Sequence, residues 1–228
     1  MPGGYADDRG DVDIRQGALI DRGGAVYMVG RNGGLMNDVR GHTTVQHLFE
    51  AYPDLEPKRI VDLGCAVGAM LRYAHAHAHA RAERLGQRVH YVQDNAERTR
   101  FPDGSFDFVY SCVLLHETSK AATRKIFAES HRLLRPGGVV IHREVPPLDS
   151  LGVWGRVMGD FESLYNNEPF RRGVRNLDVT ALMHEAGSDD VKRGFQLATP
   201  AASRSANKGF SDKSGGVFRS WLMISARK

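Results

Sequence analysis

At 228 residues, with 41% hydrophobic and 25% charged residues, the chain can bury one substantial core and has the composition of an ordinary soluble globular domain. No apolar run approaches the roughly 20 residues of a membrane span. The start Met1-Pro2-Gly3-Gly4-Tyr5-Ala6-Asp7-Asp8 has no basic region followed by an apolar one, so neither a membrane helix nor a secretory leader is expected. The net charge of +4 is scattered, with small clusters at Arg171, Arg172 and Arg175 and at Lys192 and Arg193; without a basic stripe interleaved with aromatics, nucleic acid is not an expected partner.

Residues 1–42 are rich in Gly, Asp and Arg and read as a weakly ordered extension, with a short strand at Ala25–Val29; residues 43–228 read as the folded domain. A helical pattern begins at Thr43, where Val45, Leu48 and Phe49 share a face and Thr43 or Thr44 can cap it. Pro53 and Pro57 end it. The first core strand, Arg59–Leu63, runs into the glycine turn Gly64-Cys65-Ala66-Val67-Gly68. Met70–Leu85, rich in alanine and stopped by Gly86, is the next helix. Val89–Gln93 is a second strand, Phe101–Ser105 a turn, and Phe106–Val113 a third strand. Residues 119–134 form an amphipathic helix with Ile126, Phe127, Leu133 and Leu134 as apolar positions, broken by Arg135-Pro136-Gly137-Gly138. Val139–His142 is a fourth strand. Residues 146–176 carry Trp154, Phe161, Tyr165 and Phe170 without a strand pattern and read as a helical lid insertion over the ligand face. Asp178–Ala186 is a short helix, Phe195–Leu197 and Phe218–Ser225 are closing strands, and 200–216, rich in Ser, Gly, Ala and Lys, reads as a mobile loop. Strands alternating with helices imply an α/β fold with a doubly wound, mainly parallel sheet.

An apolar strand entering a glycine turn and then a helix is how such a sheet presents a nucleotide-like ligand to backbone amides at a helix start. Cys65 and Cys112, the only cysteines, sit in apolar segments and read as reduced thiols of a cytoplasmic protein. His75 and His79 would share a helix face at i and i+4, but no third ligand is evident and the alternation with His77 follows the alanine repeat; a solvated face and no metal are expected.

Three stretches, in order, resemble the class I S-adenosylmethionine-dependent methyltransferases of the small-molecule type. They are Val61-Asp62-Leu63-Gly64-Cys65-Ala66-Val67-Gly68, Gln93-Asp94-Asn95-Ala96-Glu97 followed by Phe101-Pro102-Asp103-Gly104-Ser105-Phe106-Asp107, and Leu133-Leu134-Arg135-Pro136-Gly137-Gly138. The resemblance covers roughly residues 43 to 145. It implies a Rossmann-like methyltransferase fold and S-adenosyl-L-methionine as cofactor. Gly64 and Gly68 would let the backbone approach the cofactor, with Cys65 and Ala66 in the same turn; Ala66 stands where the family commonly has another glycine. Asp62 would reach the cofactor's amino group, directly or through water. Asn95, in a place where the family usually has Asp, would hold the adenine amino group, and Ala96 would offer a backbone amide to the ring. Ser111, near the end of the third strand, joins the cofactor-binding set.

The family's second strand ends in an acid that grips the ribose hydroxyls. Here only the nineteen residues Ala69–Gln87 separate Gly68 from the next strand, room for one helix but not for a further strand and helix. One strand–helix unit is missing and the sheet is expected to be one strand short. A right-handed crossover would place Val89–Gln93 in the vacated slot beside the first strand, with Asp94 replacing the ribose acid; otherwise that strand keeps an outer slot and leaves a gap.

Methyl transfer is an in-line displacement in which the protein aligns the acceptor and, for some acceptors, removes its proton. His116, after the third strand, is the candidate base; capping the next helix is its alternative role. His42, just before the first helix, could fold over the pocket, and Tyr165, Asn166 and Glu168 in the lid are candidates for choosing the acceptor, or for packing. The expected function is methyl transfer to a small organic acceptor. The rival readings are a non-catalytic relative that has lost cofactor binding with the missing unit, and an RNA or protein methyltransferase.

Overall fold

A computed structural model describes residues 38–64, 83, 86, 88–92, 94–165, 170, 177–205, 209–216 and 219–228. Helix α1 (Asp38–Ala51) begins before the expected Thr43. Thr43 and Thr44 therefore lie inside it, not at its cap, and their hydroxyls donate to the carbonyls of Val39 and Arg40 at 2.6 and 3.1 Å. That bond four residues back satisfies a mid-helix threonine without a capping role. Leu48 is buried, but Val45 faces solvent. Strand β1 (Ile60–Leu63) follows, and its entry is fixed from far along the chain: the buried Asp107 carboxylate accepts the amides of Lys58 and Arg59, both at 2.7 Å.

Strand β2 (Phe106–Cys112), a 3-10 turn (Leu115–Glu117), α2 (Lys120–Leu133) and β3 (Leu134–Glu144) form the middle of the fold. Ser119 caps α2 through a bond from the Ala122 amide at 3.2 Å. Thr123, Ile126, Phe127, Ser130 and Leu133, three or four apart, form its buried face. The expected break at Arg135–Gly138 is present as an irregularity inside β3: opposite β2 the register jumps from Leu134 to Val139, and Gly137 takes a φ of 79°. A second 3-10 turn (Leu148–Ser150) leads to α3 (Val153–Tyr165), and then come α4 (Val179–Glu185), β4 (Lys192–Leu197), β5 (Phe210–Ser211) and β6 (Ser220–Arg227).

The six strands make one open sheet in the order β1-β2-β3-β6-β4-β5. The β1–β2 and β2–β3 ladders are parallel, while β6 runs antiparallel to both β3 and β4, and β5 to β4. Four strands thus point the same way, as the alternation of strands and helices implies. One face packs on α2 and α4 through Val109, Ile126, Phe127, Leu133, Leu182 and Met183. The other packs on α1 through Leu48, Tyr52, Phe108, Ile141, Trp221 and Met223.

Two expectations are corrected. The described part of Val89–Gln93, residues 89–92, is not a strand, and β1 ends the sheet among the described residues. Alternation of Val89, His90, Tyr91 and Val92 supplies a strand-like pattern, but β propensity depends on pairing context. The slot beside β1 is therefore not filled by this segment, and Ile60 is left 55% exposed. The loop expected over 200–216 contains β5, because the Glu50 carboxylate on α1 accepts the Gly209 and Phe210 amides at 3.0 and 3.2 Å and holds that stretch against β4.

Candidate active site

The parallel strands β1, β2 and β3 finish on one side of the sheet, at Leu63, Cys112 and Glu144. Ligands of open α/β sheets bind beyond such carboxyl ends. At the end of β1, Gly64 has a φ of 75°, a conformation in which a Cβ is strained. A Cβ there would also lie 2.8 Å from Cδ1 of Leu114. On its described side, then, the close approach that Gly64 permits is that of Leu114. Asp62, one residue before the end of β1, is exposed and makes no hydrogen bond to another described residue. Protein surrounding it raises its carboxyl above the usual range and the Arg143 charge opposes the rise, but its open surface lets water screen both effects.

Asp94 is turned to its own loop. Its carboxylate accepts the Asn95 amide at 3.0 Å, the Arg100 amide at 2.8 Å and the Arg100 Nε at 3.2 Å. These bonds hold its pKa below the usual value against partial desolvation. The expectation that Asp94 stands beside β1 to replace the ribose acid fails with the strand that was to carry it there. Asn95 is exposed, and its side-chain oxygen accepts the Glu97 amide at 2.9 Å, one of its two lone pairs; Ala96 packs against the core. The loop is clamped to α2 by Glu129, a buried carboxylate that accepts the Thr99 amide and hydroxyl at 2.7 and 2.6 Å and pairs with Arg132 at 2.6 Å.

His116 is not a free base. Its Nδ1 lies 2.9 Å from the buried Glu144 carboxylate and its Nε2 is 3.5 Å from Glu117. Burial disfavours the charged ring, but the Glu144 charge, with Glu117, more than offsets it and raises the pKa to about 10; Glu144 is correspondingly lowered. A ring that already carries its proton cannot accept another. The other Glu144 oxygen accepts the Leu115 amide at 2.6 Å, so the pair ties the turn after β2 to the end of β3. Ser111 is likewise a core residue: it is fully buried and its hydroxyl bonds His142 Nδ1 at 2.7 Å, which takes its side chain away from any ligand.

Sequence reasoning passed over Arg143 and its surroundings. Alternation along β2 and β3 puts Tyr110, Cys112 and Arg143 on the α1 face of the sheet, with Trp221 of β6. Arg143 is fully buried, and its guanidinium lies 4.5 Å from the centre of the Trp221 ring. Nε donates to the Tyr110 hydroxyl at 3.2 Å, Nη2 contacts the Cys112 thiol, and Nη1 has no hydrogen-bond partner. Beside it Val113 has a φ of 56°, an outlier for a β-branched residue, held by its amide bond to the Arg143 carbonyl at 2.8 Å. The signal available in the sequence was an arginine continuing the apolar run Val139–Ile141 in one strand.

Cys65, Ala66, Gly68, Asn166 and Glu168 lie outside the described residues, as do His75, His77 and His79. His42 is half-buried on α1. Tyr165 ends α3 and is exposed. Helix α3 is oriented against expectation: Gly159 is its buried residue, while Val153, Trp154, Val157, Met158, Phe161, Leu164 and Tyr165 face solvent, Trp154 at 79%. Among the described residues there is no cluster of three or more His, Cys, Asp or Glu placed to hold a metal ion.

An open sheet of this order, with a left-handed glycine and an acid at the end of its first strand, defines a Rossmann-like fold of the methyltransferase type. Residues 61–142 match the methyltransferase domain family. An uncharacterised methyltransferase of Synechocystis is 31% identical over 103 residues, 45% of this chain and 48% of that protein. A fatty-acid O-methyltransferase of Mycolicibacterium smegmatis is 27% identical over 155 residues, 58% of this chain and 56% of that protein. The chain spans about half the length of these curated relatives. In fold it is similar to a Thermotoga maritima SAM-dependent methyltransferase (TM-score 0.53, 18% identity, 92% of this chain and 99% of that one). It is also similar to a Haemonchus contortus phosphoethanolamine N-methyltransferase holding S-adenosylhomocysteine (TM-score 0.58, 16% identity, 97% and 59%).

The described residues fit S-adenosyl-L-methionine at two of its ends. Asp62 offers an open carboxylate at the strand end to an ammonium group, and the exposed Asn95 beside Ala96 offers an amide to a purine edge.

Proposed function

We propose that this chain transfers the methyl group of S-adenosyl-L-methionine to a small organic acceptor in the cytoplasm. The observation that carries the reading is the open Asp62 carboxylate beside the left-handed Gly64, at the carboxyl end of a strand whose surroundings match the methyltransferase domain. Asp62 holds the amino group of the cofactor; the turn from Gly64 to Gly68 holds its carboxylate end; Asn95 and Ala96 take the adenine. The bound cofactor supplies an electrophilic methyl group. The acceptor lies beyond β2 and β3, and His42, Tyr165, Asn166 and Glu168 remain the candidates for choosing it. Small-molecule acceptors are supported by relatives named for fatty acids, phthiotriols and sterols, and nucleic acid is disfavoured by the scattered charge. The cytoplasmic placement rests on only two cysteines, and no described helix is long and apolar enough to cross a membrane.

His116, hydrogen-bonded to Glu144, positions the turn after β2. Acceptors that reach the site already ionised suit such a site best. Calorimetry with S-adenosylhomocysteine tests the reading. The native chain should bind, and Asp62→Ala should weaken binding by roughly 1.5–3 kcal/mol, as for a lost hydrogen bond to a charged group. No heat from the native chain would favour the rival, a methyltransferase fold without cofactor binding. The Asp94→Ala variant sharpens the test: its loss should appear in thermal stability of the loop rather than as a direct ligand contact.

A further inference from the structure

A buried guanidinium usually meets a carboxylate; this one does not. Arg143 spends two of its nitrogens on a phenol and a thiol, and Nη1 on nothing. Burial of an ion without a compensating charge costs several kcal/mol. Asp62 is near enough to feel the charge but is not hydrogen-bonded to it, and it stands in solvent. We propose that Arg143 is the seat of a carboxylate carried by the methyl acceptor. This rests on the methyltransferase reading above and adds to it the class of acceptor.

Three observations support the assignment. Arg143 belongs to the carboxyl end of β3, two strands from Asp62 and Gly64, which places it on the acceptor side and not at the amino-acid end of the cofactor. Tyr110, Cys112 and Val113 are only half-buried while Arg143 is fully buried, so an anion would reach the guanidinium by displacing its contacts with Tyr110 and Cys112. The Tyr110 hydroxyl already accepts from Arg143, and its own pKa is pushed upward by burial, so it keeps a proton to donate to the same anion. A planar fork offering Nη1 and Nη2 matches a carboxylate in a two-bond arrangement. The chemistry agrees as well. A carboxylate arrives without a proton to remove, so the absence of a free base at His116 does not matter. One carboxylate oxygen bonds the methyl carbon while the carbon–sulfur bond breaks and its electron pair stays on sulfur. The product ester is neutral and no longer held by the guanidinium.

Trp221 reports on the site. It lies under Arg143, and Trp154, the chain's other tryptophan, is exposed on α3. In a Trp154→Phe background, Trp221 emission is titrated with octanoate and with octanol, which share a chain and differ in charge, with and without S-adenosylhomocysteine. Octanoate should bind at least tenfold more tightly than octanol. Arg143→Gln should reduce that preference below twofold and leave S-adenosylhomocysteine affinity, read by calorimetry, unchanged. Tyr110→Phe keeps the charge and should lose a few-fold of octanoate affinity, which keeps the test open if Arg143→Gln melts. Equal binding of octanoate and octanol by the native site, or a preference that survives Arg143→Gln, overturns the proposal. Loss of S-adenosylhomocysteine binding in Arg143→Gln overturns it too, since the guanidinium would then serve the cofactor's own carboxylate. If the native chain binds octanoate through Arg143 but takes no S-adenosylhomocysteine, the carboxylate seat stands and the methyltransferase reading falls.

Discussion

The two sides of this sheet are built differently. On one side β3, β6 and β4 are covered on both faces: β6 is buried from Ser220 to Ala226, and the chain end is pinned by bonds between Gly137, Gly138 and Lys228 at 2.7 and 2.9 Å. On the other side β1 has four residues, only one of them buried, and no described neighbour beyond it. Stability comes from the first side, where apolar area leaves water. The second side keeps open carboxylates, a left-handed glycine and exposed aliphatics, groups that gain partners only when something binds. Where the sheet is best packed it has little left to offer a ligand; where it is poorly packed, the candidate site lies.

The buried pair His116–Glu144 sits at the boundary between the two sides, and breaking it should produce the largest effect. Glu144→Gln leaves a charged imidazolium without its partner and should cost about 3–5 kcal/mol, read by chemical denaturation. The pH dependence of stability separates the same pair from the buried histidines of the packed side. Burial lowers His47 and His142 to about 4 from an ordinary 6.5, and each stays neutral in the fold. Between about 4 and 6.5 the unfolded chain holds two protons that the folded chain does not, so stability rises with pH. Above 6.5 the unfolded histidines are neutral while His116 keeps its proton up to about 10, so stability falls as pH rises. Glu144, lowered by the same pair, adds a loss on the acid side below 4.5. The midpoint of thermal melting should therefore peak near pH 6.5, and His116→Asn should flatten the alkaline limb. An unchanged alkaline limb in that variant would show that another group carries the proton.

How much of this was legible in sequence follows the same division. The helix at 119–134 and the strands after it could be read because their apolar spacing is realised against a real core; Ile126, Phe127 and Leu133 are buried as their spacing requires. Asp178 caps α4 through the Ala181 amide at 2.9 Å, as an aspartate before a short apolar pattern should. Val89–Val92 misled for the opposite reason, since alternation describes a half-buried ribbon and says nothing of whether a neighbour exists to pair with it. Asp94 and His116 misled in another way. Each is the residue type that the chemistry would use, but Asp94 finds Arg100 in its own loop and His116 finds Glu144 from β3, whose approach no local pattern records. Arg143 was missed because a single arginine in a strand looks like an edge residue until β6 brings Trp221 over it.

At the open edge, Gly64→Ala should cost about 1–2 kcal/mol, the penalty of a left-handed residue with a Cβ, added to the contact with Leu114. A denaturation midpoint that does not move would mean that the turn relaxes freely, and the contrast between the rigid and open sides would be less sharp than their burial implies.

The smallest effect should come from α3. Its exposed residues recur so that Val153, Trp154, Val157, Met158, Phe161, Leu164 and Tyr165 share one face, yet that face looks outward and Gly159 looks in. An apolar helix face turned to water contributes nothing to the folded state that the unfolded chain does not also have. Trp154→Ser and Leu164→Ser should each change stability by no more than about 0.5 kcal/mol, with denaturation by urea as the measure. The same substitutions in β6, where Trp221 and Leu222 are covered from both directions, remove packed volume, and Trp221→Ser should cost about 3–5 kcal/mol as large-to-small core changes do. A loss at Trp154 that matched the one at Trp221 would mean that the α3 face is covered in solution, and the division between a packed side and an open side would then extend no further than β1.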